Sequence, residues 1–285
     1  MIQSMTGYGK EVVQLPSKTI TIEIKSLNSK GLDLNTRVPS AYREKELEIR
    51  DLLAKSLQRG KVDFSLYIEV TGEEVTTQLN EGVVKQYIKQ LANVVNGDPV
   101  ELLKMAVRMP DALKTDREEI DEKEYKAILN GIDKALEAIN EYRTDEGLVL
   151  ENDFLERSQT ISKLLKEVIA LDPERIDGVK ERLRKAVADL KEKVDENRFE
   201  QELIYYLEKY DITEEKVRLK NHLEYFEESL KSHDSNGKKL GFITQEIGRE
   251  INTIGSKANY APMQQIVVQM KDELEKIKEQ ALNVL

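Results

Sequence analysis

The chain has 285 residues, long enough for two domains, and its 39% hydrophobic share suffices for buried cores although 34% is charged. It has no cysteine and only two histidines, which excludes disulfides, thiolate metal sites and cysteine nucleophiles and leaves oxygen ligands for any metal. A net charge of −10 excludes a protein that coats nucleic acid by charge alone. That charge is uneven: residues 1–70 hold eleven Lys/Arg against nine Asp/Glu, leaving 33 against 45 for the rest, so a polyanion contact is expected near the N-terminal part. The start of the chain carries no basic segment followed by an apolar run, and nowhere do about eighteen apolar residues follow one another, so the expectation is a cytoplasmic protein without a membrane contact.

In chain order, MTGYGKEVVQ (5–14) reads as a first strand. KTITIEIKSLN alternates Ile20, Ile22 and Ile24 with polar residues, and LDLNTRV alternates Leu32, Leu34 and Thr36, so both predict half-buried strands. Leu47, Leu52, Leu53 and Leu57 stand at helical spacing and predict a helix that stops at Arg59-Gly60, before the strand KVDFSLYIEV. A second helix is expected in EGVVKQYIKQLANVV. The resulting β-β-β-α-β-α order predicts an α+β fold whose N-terminal domain, residues 1–97, resembles the ribosomal protein S5 domain 2-like order. Gly7, Gly9, Gly31 and Gly60 read as turn residues, because no G-x-x-x-x-G-K motif precedes a helix. Tyr8 and Tyr67 could stack on bases, but strand aromatics are expected in the core.

From about residue 98 strands give way to amphipathic helical patterns, an all-helical C-terminal arm with a long-helix part over 98–232, interrupted at Pro99, Pro110 and Pro173. Ile128, Ile132, Leu136 and Ile139, and later Leu183, Val187, Leu190 and Val194, are three or four apart, as in helices packed on helices. The segment 233–285 reads as a loop, HDSNGKK with a solvated His233, then a helical hairpin broken at NYAP. Ile243, Ile247, Ile251 and Ile254 form the core stripe of its first helix, and Ile266, Met270, Leu274 and Ile277 that of its second, which Pro262 can start.

About 100° around the first helix from the isoleucines runs a polar stripe of Glu246, Arg249, Glu250, Thr253 and Lys257. Intrahelical ion pairs on a solvated face are the plain reading. Asn252, Thr253, Gly255 and Ser256 are mediocre or poor helix formers, which argues for a role beyond helix stability.

Five blocks in order, SMTGYG, SLNSKGLDLNTRVP, RGKVDFSLYIE, DITEEKVRLKNHLEYF, and GKKLGFITQEIGREINTIGSKAN running into KDELEKIKEQALNV, resemble the YicC/YloC family of bacterial proteins over nearly the whole chain. The resemblance implies a metal-dependent endoribonuclease, a homo-oligomer and in particular a hexamer, that encloses single-stranded or structured RNA in a channel. The chain departs from the family pattern at Lys238, Gly241, Gly248 and Leu285, and matches it at Glu246, Arg249, Glu250, Asn252, Thr253, Ser256, Lys257 and Asn259.

RNA hydrolysis has to stabilise charge on phosphate and activate an oxygen nucleophile, which Mg²⁺ or Mn²⁺ held by carboxylates can do. Glu246 and Glu250, one turn apart, are the expected metal ligands, and Glu246, Arg249, Glu250 and His222 the expected catalytic set. Lys257, Asn252, Ser256 and Lys271, with Arg37, Arg59 and Lys61 of the N-terminal part, are the expected RNA contacts. His222 could transfer protons near neutral pH, or sit as a helix histidine between Leu219, Leu223 and Phe226. Asp211, Glu214, Glu215 and Arg218 match the same family block. Glu275 and Glu279 read as surface partners of Lys271 and Lys278. An RNA-binding adaptor without cleavage and a scaffold without nucleic acid are the competing classes.

Overall fold

The computed structural model describes residues 2–71, 77–115, 120–189, 196–232 and 237–285; His233, Leu190 and Val194 lie outside them. Four strands, β1 (Gly7–Gln14), β2 (Lys18–Leu27), β3 (Leu32–Arg37) and β4 (Gly60–Val70), form one sheet in the order β1-β2-β4-β3. β2 is antiparallel to both β1 and β4, whereas β3 runs parallel to β4 and reaches it through helix α1 (Glu46–Ser56). The period-two alternation works as expected: Ile20, Ile22 and Ile24 stand opposite Ile68, Leu66 and Phe64, and their common face is buried. α1 covers that face with Ile49 and Leu53, and Leu57 follows it into the core. Leu47, expected on the same stripe, is 76% exposed, because the stripe is set by Ile49 and Leu53 and residue 47 falls on the opposite side of the helix.

A small annex follows. α2 (Glu81–Val94) is capped by the Asn80 side chain, and α3 (Pro99–Ala106) by Asp98, with Pro99 in its first turn. Strands do not end at residue 98: β5 (Thr77–Leu79) pairs with β6 (Leu113–Thr115) beyond Pro110. These three-residue segments are too short to show periodicity.

Helix α4 (Glu122–Asp189) then runs for 68 residues. Ile128, Ile132, Leu136 and Ile139 do not pack on helices, as their spacing suggested, but on the same sheet face as α1. Gly7 and Gly9 serve this contact rather than a turn. They lie inside β1, and a Cβ on Gly9 would overlap the Ala135 carbonyl of α4. Gly60 does need its freedom, at φ +126°. α1 and α4 both pack on one face of the sheet. The other face is open, so Tyr8 and Tyr67, expected in the core, are 41% and 51% exposed.

Pro173, expected to interrupt the helix, lies within α4. The hydrogen bond it cannot make belongs to the carbonyl of Ile169, a residue 47% exposed, so water can take over that acceptor. Beyond it Leu183 and Val187 are half-buried.

The second core joins the C-terminal half of α4 to α6 (Thr213–Lys231), α7 (Gly237–Ala258) and α8 (Ala261–Ala281), with α5 (Glu196–Lys209) at the far end. Ile243, Ile247, Ile251, Ile254, Ile266, Met270, Leu274 and Ile277 are all buried in it, as their spacing predicts. Asn259 closes α7 at φ 37°, and Pro262 stands in the first turn of α8. Residues 283–285 return to residues 3–5, through Met5 N–H to the Asn283 carbonyl at 2.7 Å and Leu285 N–H to that of Gln3 at 2.9 Å. No helix among the described residues is long and apolar enough to cross a membrane.

Candidate active site

α6 and α7 form an antiparallel hairpin, and its open end is pinned. The Lys257 ammonium donates to Glu215 at 2.7 Å and to the Asp211 carbonyl at 2.9 Å. Arg175 of α4, 2% exposed, bonds Asp172 at 2.8 Å and donates to the Tyr210 carbonyl at 2.9 Å and that of Lys257 at 3.4 Å. Lys216 meets the other oxygen of Asp172 at 2.6 Å. Asp211, its carboxylate receiving the Thr213 hydroxyl at 2.7 Å and N–H at 2.9 Å, is held below the ordinary aspartate pKa chiefly by that hydroxyl. Lys257 is thus fixed inward rather than free in solvent.

Seven residues along α6 from Glu215 comes His222, and seven back along α7 from Lys257 comes Glu250. Two turns preserve the facing side, and in an antiparallel pair both steps travel the same way by about 10 Å. His222, half-buried, and Glu250, 5% exposed, therefore stand at one level of the α6–α7 interface. Glu250 has no hydrogen bond or ion pair among the described residues, and its carboxylate oxygens are not fully shut off from solvent. Glu215 Oε2 is likewise buried without a partner among them. A carboxylate at a helix interface that is spent on no ion pair is open to a ligand, which marks a functional position more than a structural one.

The rest of the stripe is more exposed. Arg249 pairs with Glu246 at 3.1 Å, the intrahelical pair of the plain reading. Thr253 and Ser256 return their hydroxyls to the carbonyls of Arg249 and Thr253, and Asn252 is exposed. Gln245, Gly248, Arg249, Asn252, Ser256 and Lys278 line an open groove of about 540 Å³ between α7 and α8. Lys278 was not foreseen as a contact. It pairs with Glu275 at 2.7 Å, the surface pairing expected of that stripe. Lys271, exposed, lies two turns earlier on the same face of α8. Gly248 keeps the groove floor low, since a Cβ there would come within 3.2 Å of Leu274 and 3.5 Å of the Lys278 ammonium. Gly241 faces open space.

Among the described residues no three His, Asp or Glu converge as metal ligands. Glu246 and Glu250 offer two carboxylates one turn apart, Glu250 unpartnered, and this donor set fits an ion that retains several waters. In the N-terminal part, Arg37 and Lys61 extend from the open sheet face, and Arg59 is anchored at its end by donating from Nε to the Ser29 carbonyl at 2.9 Å. Arg143 escaped sequence reasoning because its charge sits between polar neighbours on a helix. It is 2% exposed, has no carboxylate partner among the described residues, and donates to Ser26 Oγ at 2.6 Å and the carbonyls of Met5 and Arg59 at 3.4 Å each. Burial lowers its pKa.

Two family profiles span this architecture: the N-terminal region of the Endoribonuclease YicC-like family matches residues 2–152, and its C-terminal region residues 168–285. The chain belongs to the YicC-like family. A protein of Clostridioides difficile (strain 630) named "Probable endoribonuclease YicC" is 33% identical over 293 aligned residues, covering 100% of both chains. One of the same name from Haemophilus influenzae (strain ATCC 51907) is 29% identical, again over 100% of both. Every site residue above lies within a matched YicC-like region.

Proposed function

We propose that the protein is a metal-dependent endoribonuclease that cleaves single-stranded or structured RNA within an oligomeric channel. The observation that carries this reading is Glu250, buried on α7 at the level of His222 with no partner among the described residues. Full-length likeness to proteins named probable endoribonucleases supplies the substrate class.

Cleaving a phosphodiester requires a proton taken from the nucleophile, charge stabilised on phosphate and a proton given to the leaving oxygen. Glu246 and Glu250 would hold Mg²⁺ or Mn²⁺, which when bound supplies Lewis-acid stabilisation and lowers the pKa of a coordinated water. The Arg249–Glu246 pair is exposed and contributes under about 1 kcal/mol, so an arriving phosphate can take over the guanidinium in a bidentate contact. Lys278, Lys271, Asn252 and Ser256 would seat the flanking backbone along the groove. His222 is the proton carrier, while Lys257, Glu215 and the Asp172–Arg175 pair position α7 beneath it. Arg37, Arg59 and Lys61 extend the RNA contact onto residues 1–97, with 98–232 as spacer and 233–285 as active-site hairpin. A closed homo-oligomer, a hexamer, encloses the path, and RNA turnover places the protein in the cytoplasm.

The second reading is a non-catalytic RNA-binding adaptor. It is favoured by the paired state of Glu246 and by only two carboxylates standing one turn apart. Labelled structured RNA incubated with the purified protein and Mn²⁺, Mg²⁺ or EDTA separates the two. Metal-dependent fragments support cleavage, whereas retention without fragments in every metal overturns it in favour of the adaptor. Light scattering that gave a monomer mass at micromolar concentration would remove the channel.

A further inference from the structure

We infer that the open face of the β1–β4 sheet is a stacking platform for unpaired bases of RNA, centred on Tyr8 and Tyr67 with Lys25 between them. Tyr8 on β1 stands opposite Lys25 of β2, and Tyr67 on β4 opposite Thr21 of the same strand. From strand geometry their Cα atoms lie about 16 Å apart on one face, a span for non-adjacent bases of one strand. The Lys25 ammonium sits 5.5 Å from the centre of the Tyr8 ring. Glu23 receives Lys25 and the Tyr8 hydroxyl at 3.2 Å each, which fixes the orientation of both. Lys25 is raised above its ordinary pKa chiefly by its hydrogen bond to Glu23.

Three further considerations select RNA bases. The exposed apolar side chains of this face are interspersed with charges of both signs, Lys10, Lys25, Arg37 and Lys61 with Glu23, Asp33, Asp63 and Glu69, whereas the centre of a self-association interface is depleted of charge. Four-stranded sheets that present aromatics on an uncovered face are a known solution for reading single-stranded RNA, with stacking on the rings and cations for the backbone. A chain of net charge −10 attracts RNA weakly at long range, so its affinity needs such short-range contacts. The platform also continues toward the groove: Asn28, just past β2, donates to the Leu282 carbonyl at 2.7 Å, about one helical turn beyond Lys278.

This rests on the endoribonuclease reading for RNA as the ligand, and its test is binding rather than cleavage. A fluorescent single-stranded 12-mer and the same strand annealed to its complement are titrated with wild type, Tyr8→Ala, Tyr67→Ala and the two Phe variants, with EDTA present. Each Ala change is expected to weaken single-strand binding about 5- to 150-fold and leave duplex binding alone, while Phe retains wild-type affinity. Ala variants that bind the single strand like wild type overturn the platform and leave the nuclease reading standing. A wild type that binds and cuts no RNA overturns both. Ala variants with a lower oligomer mass in light scattering and equal losses for single strand and duplex assign the face to contact between copies instead, which also overturns the platform.

Discussion

Replacing Glu250 by glutamine should change stability little and leave the protein nearly inactive. The residue is 5% exposed and its carboxylate accepts no hydrogen bond among the described residues, but its oxygens are not fully shut off from solvent and keep part of their hydration. Glutamine keeps the shape and drops a charge that no partner holds, so a change within about 1 kcal/mol is expected. For 285 residues that is about 2–4 °C in melting temperature. Cleavage should fall by about 10²–10⁴, the range for removing a group that handles a proton or holds a catalytic ion. Calorimetry and single-turnover cleavage on one preparation read both numbers. A variant that cuts at the wild-type rate, or melts several degrees lower, would refute the reasoning, since the carboxylate would then be structural.

Arg249→Ala and Lys278→Ala each remove an exposed cation from the groove, so melting should move by no more than about 1 °C while affinity for RNA falls and the salt dependence of binding flattens by about one unit of slope; titrations at several salt concentrations check this. Gly9→Ala forces a methyl into the Ala135 carbonyl and should lower stability by about 3 kcal/mol or more, read as a denaturant midpoint shift. Asp211 has its folded pKa below the ordinary aspartate value, chiefly through the Thr213 hydroxyl, so its stabilisation is present above that ordinary value and is lost as pH falls through the lowered one. Asp211→Asn should therefore narrow the difference in melting temperature between pH 6 and pH 3, and an unchanged difference would contradict the assignment.

The strand order and the isoleucine stripes of α7 and α8 were legible because each rests on a period that one buried face imposes. The open sheet face was not. An alternating strand reads the same whether its second face meets a layer or solvent, and an aromatic there looks like core. Pro173 misled for a related reason: the rule against helix proline assumes the freed carbonyl is trapped, while Ile169 is exposed. The polar stripe was readable as a stripe, yet its division was not. Only the register of α6 against α7, pinned by the Lys257–Glu215 pair, shows that Glu250 turns inward and Arg249 outward. Arg143 had no sequence signal at all, since its acceptors come from residues 5, 26 and 59.

Helix α4 belongs to both cores at once, with no linker between the sheet and the helical part. From Ala135 on the sheet to its last residue, Asp189, it extends about 80 Å. Such a beam behaves as a lever: a tilt of about 4° on its seat against β1 would carry the tip through between 5 and 6 Å, roughly the width of a nucleotide backbone. The glycines of β1 bring that seat into backbone contact, where small shifts in packing are felt as rotations of the whole rod. Strain set up by a molecule resting on the sheet would thus reach the distant end as displacement, without any joint having to bend.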